Sequence, residues 1–143
     1  MPNTNLVKDV KEFLVRAGAE LDLKHTEPPN LSFNIHLGMR RRPLDVAFGD
    51  SEDFFAIMVL VREEIRKRER VLLEETNFSG LKSELRWFGE TTVLVYRFDV
   101  SHIGVVDILS NFLQVCTQEV TTIENLIDFP DASPEEIVPY IRH

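Results

Sequence analysis

Apolar residues recur along this chain with two different periods, and these periods divide it into predicted helices and strands. Near the N-terminus, a spacing of four residues places Leu6, Val10 and Leu14 on one side of a helix. In later segments apolar positions alternate with polar ones, which is typical of strands that bury one face. The predicted elements are helices over 4–17, 62–76 and 104–127 and strands over 31–37, 44–48, 54–61, 81–87 and 91–100.

The order of these elements, αβββαββα, predicts an α+β fold. Every link between consecutive strands is short enough to be a turn, so we expect an antiparallel five-stranded sheet packed by helices. A chain of 143 residues is the size of one compact domain, which we place at 1–128. Residues 129–143 are then a C-terminal extension, in which Ser133-Pro134-Glu135-Glu136 predicts a short helical turn.

The segment 54–61 is apolar at every position and rich in β-branched and aromatic residues. Such a strand needs cover on both faces, so we expect one face to lie under a helix and the other in an interface. Simple exposure of some of these side chains is the alternative. The candidate interface residues in this strand are Phe54, Phe55, Ile57 and Val59.

A second candidate for partner binding is the run Arg40, Arg41 and Arg42, which lies in a predicted turn over 38–43. Guanidinium groups on a turn are suited to a phosphate or an acidic partner. The competing interpretation, to which we give more weight, is that these charges are simply solvated.

The overall charge argues against a nucleic-acid partner. Lys and Arg number 16 and Asp and Glu number 24, a formal net charge of −8, which is a poor match to a phosphate backbone. No apolar run approaches the roughly 20 residues of a membrane helix, and the N-terminus lacks the apolar core of a secretory signal. The single cysteine, Cys116, lies on an apolar helical stripe and fits a reducing compartment, so we expect a cytoplasmic protein.

No arrangement of residues with a recognisable catalytic chemistry is present. The chain has no glycine-rich nucleotide motif, no G-x-S-x-G and no H-E-x-x-H. The acidic residues Asp50, Glu52 and Asp53 lack the spacing of a calcium loop, and turns commonly carry Asp for backbone reasons. We therefore expect no cofactor and no metal site, and we favour a protein that is not an enzyme.

The element order and the helix ending in Leu72-Leu73-Glu74-Glu75-Thr76-Asn77, before a hairpin and a long last helix, resemble one known family. This is the YbjN-like family, the so-called bacterial sensory transduction regulators, whose fold is similar to that of type III secretion chaperones. The likeness covers most of 6–127. It implies a non-enzymatic, dimeric protein and brings no catalytic residue with it.

Two functions follow as hypotheses. The first is a chaperone-like or regulatory protein-binding domain that acts as a homodimer and holds a segment of a partner protein. The alternative is a small-ligand sensor or an unrecognised enzyme, with a pocket between the long last helix and the sheet. In that case Trp87, Tyr96 or Arg97 would lie near the mouth of the pocket.

Overall fold

A computed structural model describes residues 4–22, 30–49, 53–78, 80–100 and 104–130 of the chain. The elements are α1 (Thr4–Arg16), β1 (Glu20–Leu21), β2 (Asn30–Leu37), β3 (Arg40–Phe48), β4 (Phe54–Arg62), α2 (Lys67–Glu75), β5 (Glu84–Phe88), β6 (Thr91–Asp99) and α3 (Val105–Asp128). The α+β class and the single domain are confirmed. The predicted helical turn after Ser133 lies outside the described residues.

Over the described ranges, the sheet has six strands in the order β1-β2-β3-β4-β6-β5, and all neighbouring strands are antiparallel. The prediction of five strands is therefore wrong. The additional strand, β1, pairs Glu20 with Asn34 and Leu21 with Phe33. With a length of two residues it is too short to show an alternation in the sequence.

The turn between β2 and β3 is much shorter than predicted. Strand β2 ends at Leu37 and β3 begins at Arg40, so only Gly38 and Met39 connect them. Gly38 has a φ of +67°, which glycine adopts at little cost and which suits a two-residue hairpin turn. The arginine run consequently lies in strand β3 and not in a turn. Pro43 is tolerated there because it precedes the first β3–β4 pair, Leu44 with Val59.

The second helix also begins later than predicted. Arg62 still belongs to β4, and α2 starts only at Lys67. The Glu69 carboxylate accepts a hydrogen bond from the Arg66 N–H at 2.8 Å, which fixes the start of the helix. By contrast, α1, β4 and the long helix α3 agree with the prediction within one or two residues.

The helices cover one face of the sheet, which we call the covered face. Strands β2, β3, β4 and β6 point alternate side chains towards α1 and α3, and these side chains form the core. From the sheet the core receives Leu31, Phe33, Ile35, Leu44, Val46, Phe55, Ile57, Val59 and Leu94, and from the helices Val10, Leu14, Leu109, Phe112, Cys116, Val120 and Ile123. The intervening residues of the same strands point to the other side, which we call the open face.

Candidate functional site: the open face of the sheet

A trough of about 530 Å³ runs across the centre of the open face. Its floor consists of Ala47 in β3, Ala56 and Met58 in β4 and Val95 in β6. Ala47 is paired with Ala56 and Met58 with Val95, so the four side chains form one continuous apolar surface. The two alanines make the floor low because each side chain is only a methyl group.

The two sides of the trough differ in height. On the side of β5 and β6 it is bounded by the long side chains of Arg86, Phe88 and Arg97, which we call the high wall. On the side of β2 and β3 it is bounded by the short side chains of Asn30, Ser32 and Asp45, which we call the low wall. Phe88 is 59% exposed, so the high wall also presents an apolar surface to solvent.

The two walls also carry opposite charge. Next to the high wall, the Glu84 carboxylate accepts hydrogen bonds from Arg86 Nε at 2.9 Å and Arg86 Nη2 at 2.6 Å, and it also pairs with Arg97. The hydrogen bond from Arg86 lowers the pKa of Glu84, so this carboxylate is ionised at neutral pH. Two positive guanidinium groups and one negative carboxylate give this cluster a net charge of one positive unit. Asp45 on the low wall forms no ion pair with any other described residue.

The candidate interface residues of β4 divide between the two faces. Phe55, Ile57 and Val59 are 0% exposed on the covered face, where a partner has no access to them. Phe54 is 36% exposed and is the only one of the four with surface to offer. The other residues of β4 that point to the open face are Ala56, Met58 and Leu60, and the uniformly apolar sequence does not distinguish them from the covered ones. The polar residues Ser32 and Asp45 in the neighbouring strands were the signal that could have identified this face.

Arg42, also predicted as a partner-binding residue, is a buried structural residue at 2% exposure. Its Nε donates to the Leu37 carbonyl at 3.2 Å, its Nη1 donates to the Val61 carbonyl at 2.8 Å, and its Nη2 pairs with Glu124 of α3. Burial lowers the pKa of Arg42 to about 10, which still leaves the guanidinium charged at neutral pH. Arg42 therefore links strand β3 to its neighbouring strands and to helix α3.

The two other arginines of the run are more exposed. Arg40 lies 3.7 Å from Glu124 Oε2, and Arg41 lies 3.2 Å from Glu20 Oε2. A groove of about 480 Å³ lies beside them, but Glu63 and Glu64 also line it. Because the arginines already have carboxylate partners and further carboxylates line the groove, its charge does not favour a phosphate.

The space between α3 and the sheet, where the alternative hypothesis expected a pocket, contains a buried polar cluster around Glu119. Glu119 is 0% exposed, and its carboxylate accepts hydrogen bonds from Tyr96 Oη at 2.8 Å, Ser83 Oγ at 2.7 Å and the Lys82 N–H at 2.6 Å. Cys116 is also 0% exposed, and burial raises the pKa of its thiol to about 12. This thiol is protonated at neutral pH and is not a nucleophile.

The three residues that were expected near the mouth of that pocket do not lie together. Tyr96 is 3% exposed and bonded to Glu119, and Arg97 points to the open face. Trp87 is half-buried, with the guanidinium carbon of Arg70 4.8 Å from its ring centroid. The three residues therefore lie in three separate environments and do not line one pocket.

The remaining polar candidates give no assembled site. Among the described residues no group of three or more His, Cys, Asp or Glu is arranged to hold a metal ion. Asp53 is exposed, whereas Asp50 and Glu52 lie outside the described ranges. Within these ranges, no helix has the length and apolar character that crossing a membrane requires.

Comparisons with known proteins do not assign the chain to a family. No protein-family model matches it, and no curated protein matches its sequence. The resemblance to the YbjN-like family therefore stays a prediction from element order and the Leu72–Asn77 segment.

Proposed function

We propose that this chain is a non-enzymatic protein-binding domain, chaperone-like or regulatory, and that the open face is the surface on which it holds another polypeptide. One observation carries the proposal. The central strands β3, β4 and β6 present a continuous apolar floor, formed by Ala47, Ala56, Met58 and Val95, on the side of the sheet that the helices do not cover. Burial of such a floor by a partner is favourable because it removes apolar surface from water.

The chemistry of the trough supports binding more than catalysis. Its floor carries no ionisable group, and its charged groups lie on the walls, where Arg86 and Arg97 are paired with Glu84. The buried groups that could do chemistry, Glu119 and Cys116, lie on the other side of the sheet and are closed off from solvent. An apolar centre with a polar rim is the usual anatomy of a protein–protein interface.

The proposal is tested with a photo-crosslinking amino acid placed at Met58 in the full chain, expressed in cells. The matched control carries the same amino acid at Gln114, which is exposed on the outer side of α3. We expect a crosslinked polypeptide adduct from position 58 and none from position 114. Equal adducts at both positions, or none at position 58 in a protein with unchanged circular dichroism, would contradict the proposal.

A further inference from the structure

We infer that the polypeptide held on the open face is a second copy of this chain, stacked face to face about a two-fold axis that runs parallel to β4. The inference rests on the proposed function and names the partner of the same surface. It follows from three properties of the open face: the charge of its walls, their height and the size of the face.

The first property is charge. A two-fold axis along β4 exchanges the two sides of the sheet, so β3 of one copy lies over β6 of the other. The low wall with Asp45 then faces the high wall with Arg97, and the contact occurs twice because an isologous interface repeats every contact. A carboxylate without an ion-pair partner among the described residues thereby meets a wall with an excess positive charge.

The register of the strands sets how close these groups come. Asp45 is paired with Met58, and Met58 is paired with Val95, so Asp45 and Val95 lie at the same height on opposite sides of β4. The axis therefore places Asp45 over the partner copy's Val95. Glu84 is paired with Val95 and lies at the same height one strand further. Its carboxylate already holds the two guanidinium groups of the high wall, so Asp45 meets a cluster with a net positive charge. Arg97 follows two residues later in β6, a displacement of about 7 Å along the strand, which the long arginine side chain can span.

The opposite choice of axis is unfavourable. A two-fold axis perpendicular to the strands, through the row of Met58, would place β3 over β3 of the second copy. Asp45 would then lie against its own symmetry mate, and like charges in direct contact are destabilising. For an axis through the centre of the trough, the charge pattern thus favours the direction parallel to β4.

The second property is shape. The same axis lays the long side chains of the β5–β6 side over short side chains of the β2–β3 side. By register, Arg97 lies over the partner copy's Ala47, because both pair with Ala56, and Glu84 lies over its Ser32, because both lie in the row of Met58. Long side chains placed over short ones let the two sheets approach to about 10 Å, which is the usual separation of packed sheets. Phe54, at the end of β4 and 36% exposed, lies near the axis and meets its own symmetry mate.

The third property is area. The strands β2, β3, β4, β6 and β5 make a face about 24 Å wide at about 4.8 Å per strand, and about 25 Å long at about 3.3 Å per residue. Each copy would bury about 600 Å², and the pair about 1,200 Å², which reaches the lower limit for specific interfaces. The face is large enough for a dimer of moderate affinity.

A charge-swap experiment tests the inference. The variants Asp45→Arg and Arg97→Asp are purified separately, and their masses are measured by light scattering after size exclusion. Each variant places like charges together at both symmetric contacts, so we expect the dimer dissociation constant to rise at least about tenfold. An equimolar mixture restores opposite charges at both contacts, so we expect a heterodimer of about twice 16.5 kDa. The double variant with both substitutions should also be a dimer.

Control measurements keep the outcomes separate. Gln114→Arg adds a charge on the outer side of α3 and should leave the wild-type mass unchanged. A wild-type chain that is monomeric at all concentrations overturns the inference, as does a mixture of the two single variants that stays monomeric although both are folded by circular dichroism. If wild-type chain is monomeric while position 58 still crosslinks to a different polypeptide, only the inference of a second copy fails and the proposed function stands.

Discussion

The covered face and the open face share the central strand β4, and Phe54 and Phe55 are neighbours on opposite sides of it. Phe55 is 0% exposed and packs with Phe48 and Phe98, at ring-centroid distances of 6.1 Å and 5.1 Å. Phe54 is 36% exposed at the end of the strand. The two residues are chemically identical, so their difference in environment comes from strand alternation and from which side the helices occupy.

This comparison separates stability from binding. On the covered face, apolar side chains contact other side chains of the same molecule, and their burial stabilises the fold. On the open face, Ala56 and Met58 contribute apolar surface that remains partly in contact with solvent. We therefore expect substitutions on the covered face to change the free energy of unfolding, and substitutions on the open face to change association.

The largest expected effect comes from the two neighbouring phenylalanines. Phe55→Ala should lower the free energy of unfolding by about 4 kcal/mol, because it removes a fully buried ring and leaves a cavity. Phe54→Ala should lower the stability of the monomer by no more than about 1 kcal/mol. Urea denaturation followed by circular dichroism measures both values. Equal losses would show that β4 does not divide the two faces in this way.

The neighbouring arginines give the second comparison. Arg42→Met should lower the free energy of unfolding by about 3 kcal/mol, because Glu124 and the carbonyls of Leu37 and Val61 lose their donor. Arg41→Met removes an exposed ion pair with Glu20 and a long, exposed hydrogen bond to the Asn34 carbonyl, and it should cost less than about 0.5 kcal/mol. The same denaturation measurement applies. If Arg41→Met were the more damaging variant, the assignment of Arg42 as the structural residue would be wrong.

A third comparison contrasts the inner and outer sides of α3. Glu119→Ala should cost about 2 kcal/mol, since Tyr96, Ser83 and the Lys82 N–H would lose their buried acceptor. Gln114→Ala, on the exposed side of the same helix, should change stability by less than about 0.5 kcal/mol. Thermal unfolding of both variants at pH 7 checks this, and a Glu119→Ala variant as stable as wild type would contradict it.

The last prediction concerns pH, and its effect on stability is absent at neutral pH. Burial raises the pKa of Cys116 from 9.0 to about 12 in the folded chain, so the unfolded chain releases this proton first. The free energy of unfolding should therefore fall as pH rises from about 9 to about 12, and this group contributes no slope below that range. Cys116→Ala should show a shallower fall than wild type. Burial also raises the pKa of Tyr96, so part of the slope should persist in the variant. If Cys116→Ala showed the same dependence of unfolding free energy on pH as wild type, the assignment of Cys116 as a buried thiol with a raised pKa would be contradicted.

Much of the fold could be predicted from the sequence because its elements are long and periodic. The stripe from Leu109 to Ile127 identified α3, and continuous apolar character identified β4. Strand β1 escaped prediction because two residues show no period. The arginine run has the sequence character of a turn, because its charges and Pro43 mask the alternation, although Arg42 occupies a core position in β3.

The candidate site was harder to predict than the fold. Phe55, Ile57 and Val59 are larger and more apolar than Ala56 and Met58, so composition alone directs attention to the covered side of β4. Only the register shows which residues share a face: Asp45 is paired with Met58, and Ala47 with Ala56. Glu119 was not recognised as a buried residue, because its three donors come from β6 and from the segment before β5, far away in sequence.

The most direct test of the central claim is the solution mass of wild type and Met58→Glu, measured by light scattering at two concentrations that differ tenfold. Met58 lies in the floor of the trough, and a carboxylate there would be buried without a partner in the dimer. We predict about twice 16.5 kDa for wild type and 16.5 kDa for Met58→Glu, with the same circular dichroism for both. Two chains of equal mass, whether both monomeric or both dimeric, would contradict the account that the open face is the binding surface for a second copy.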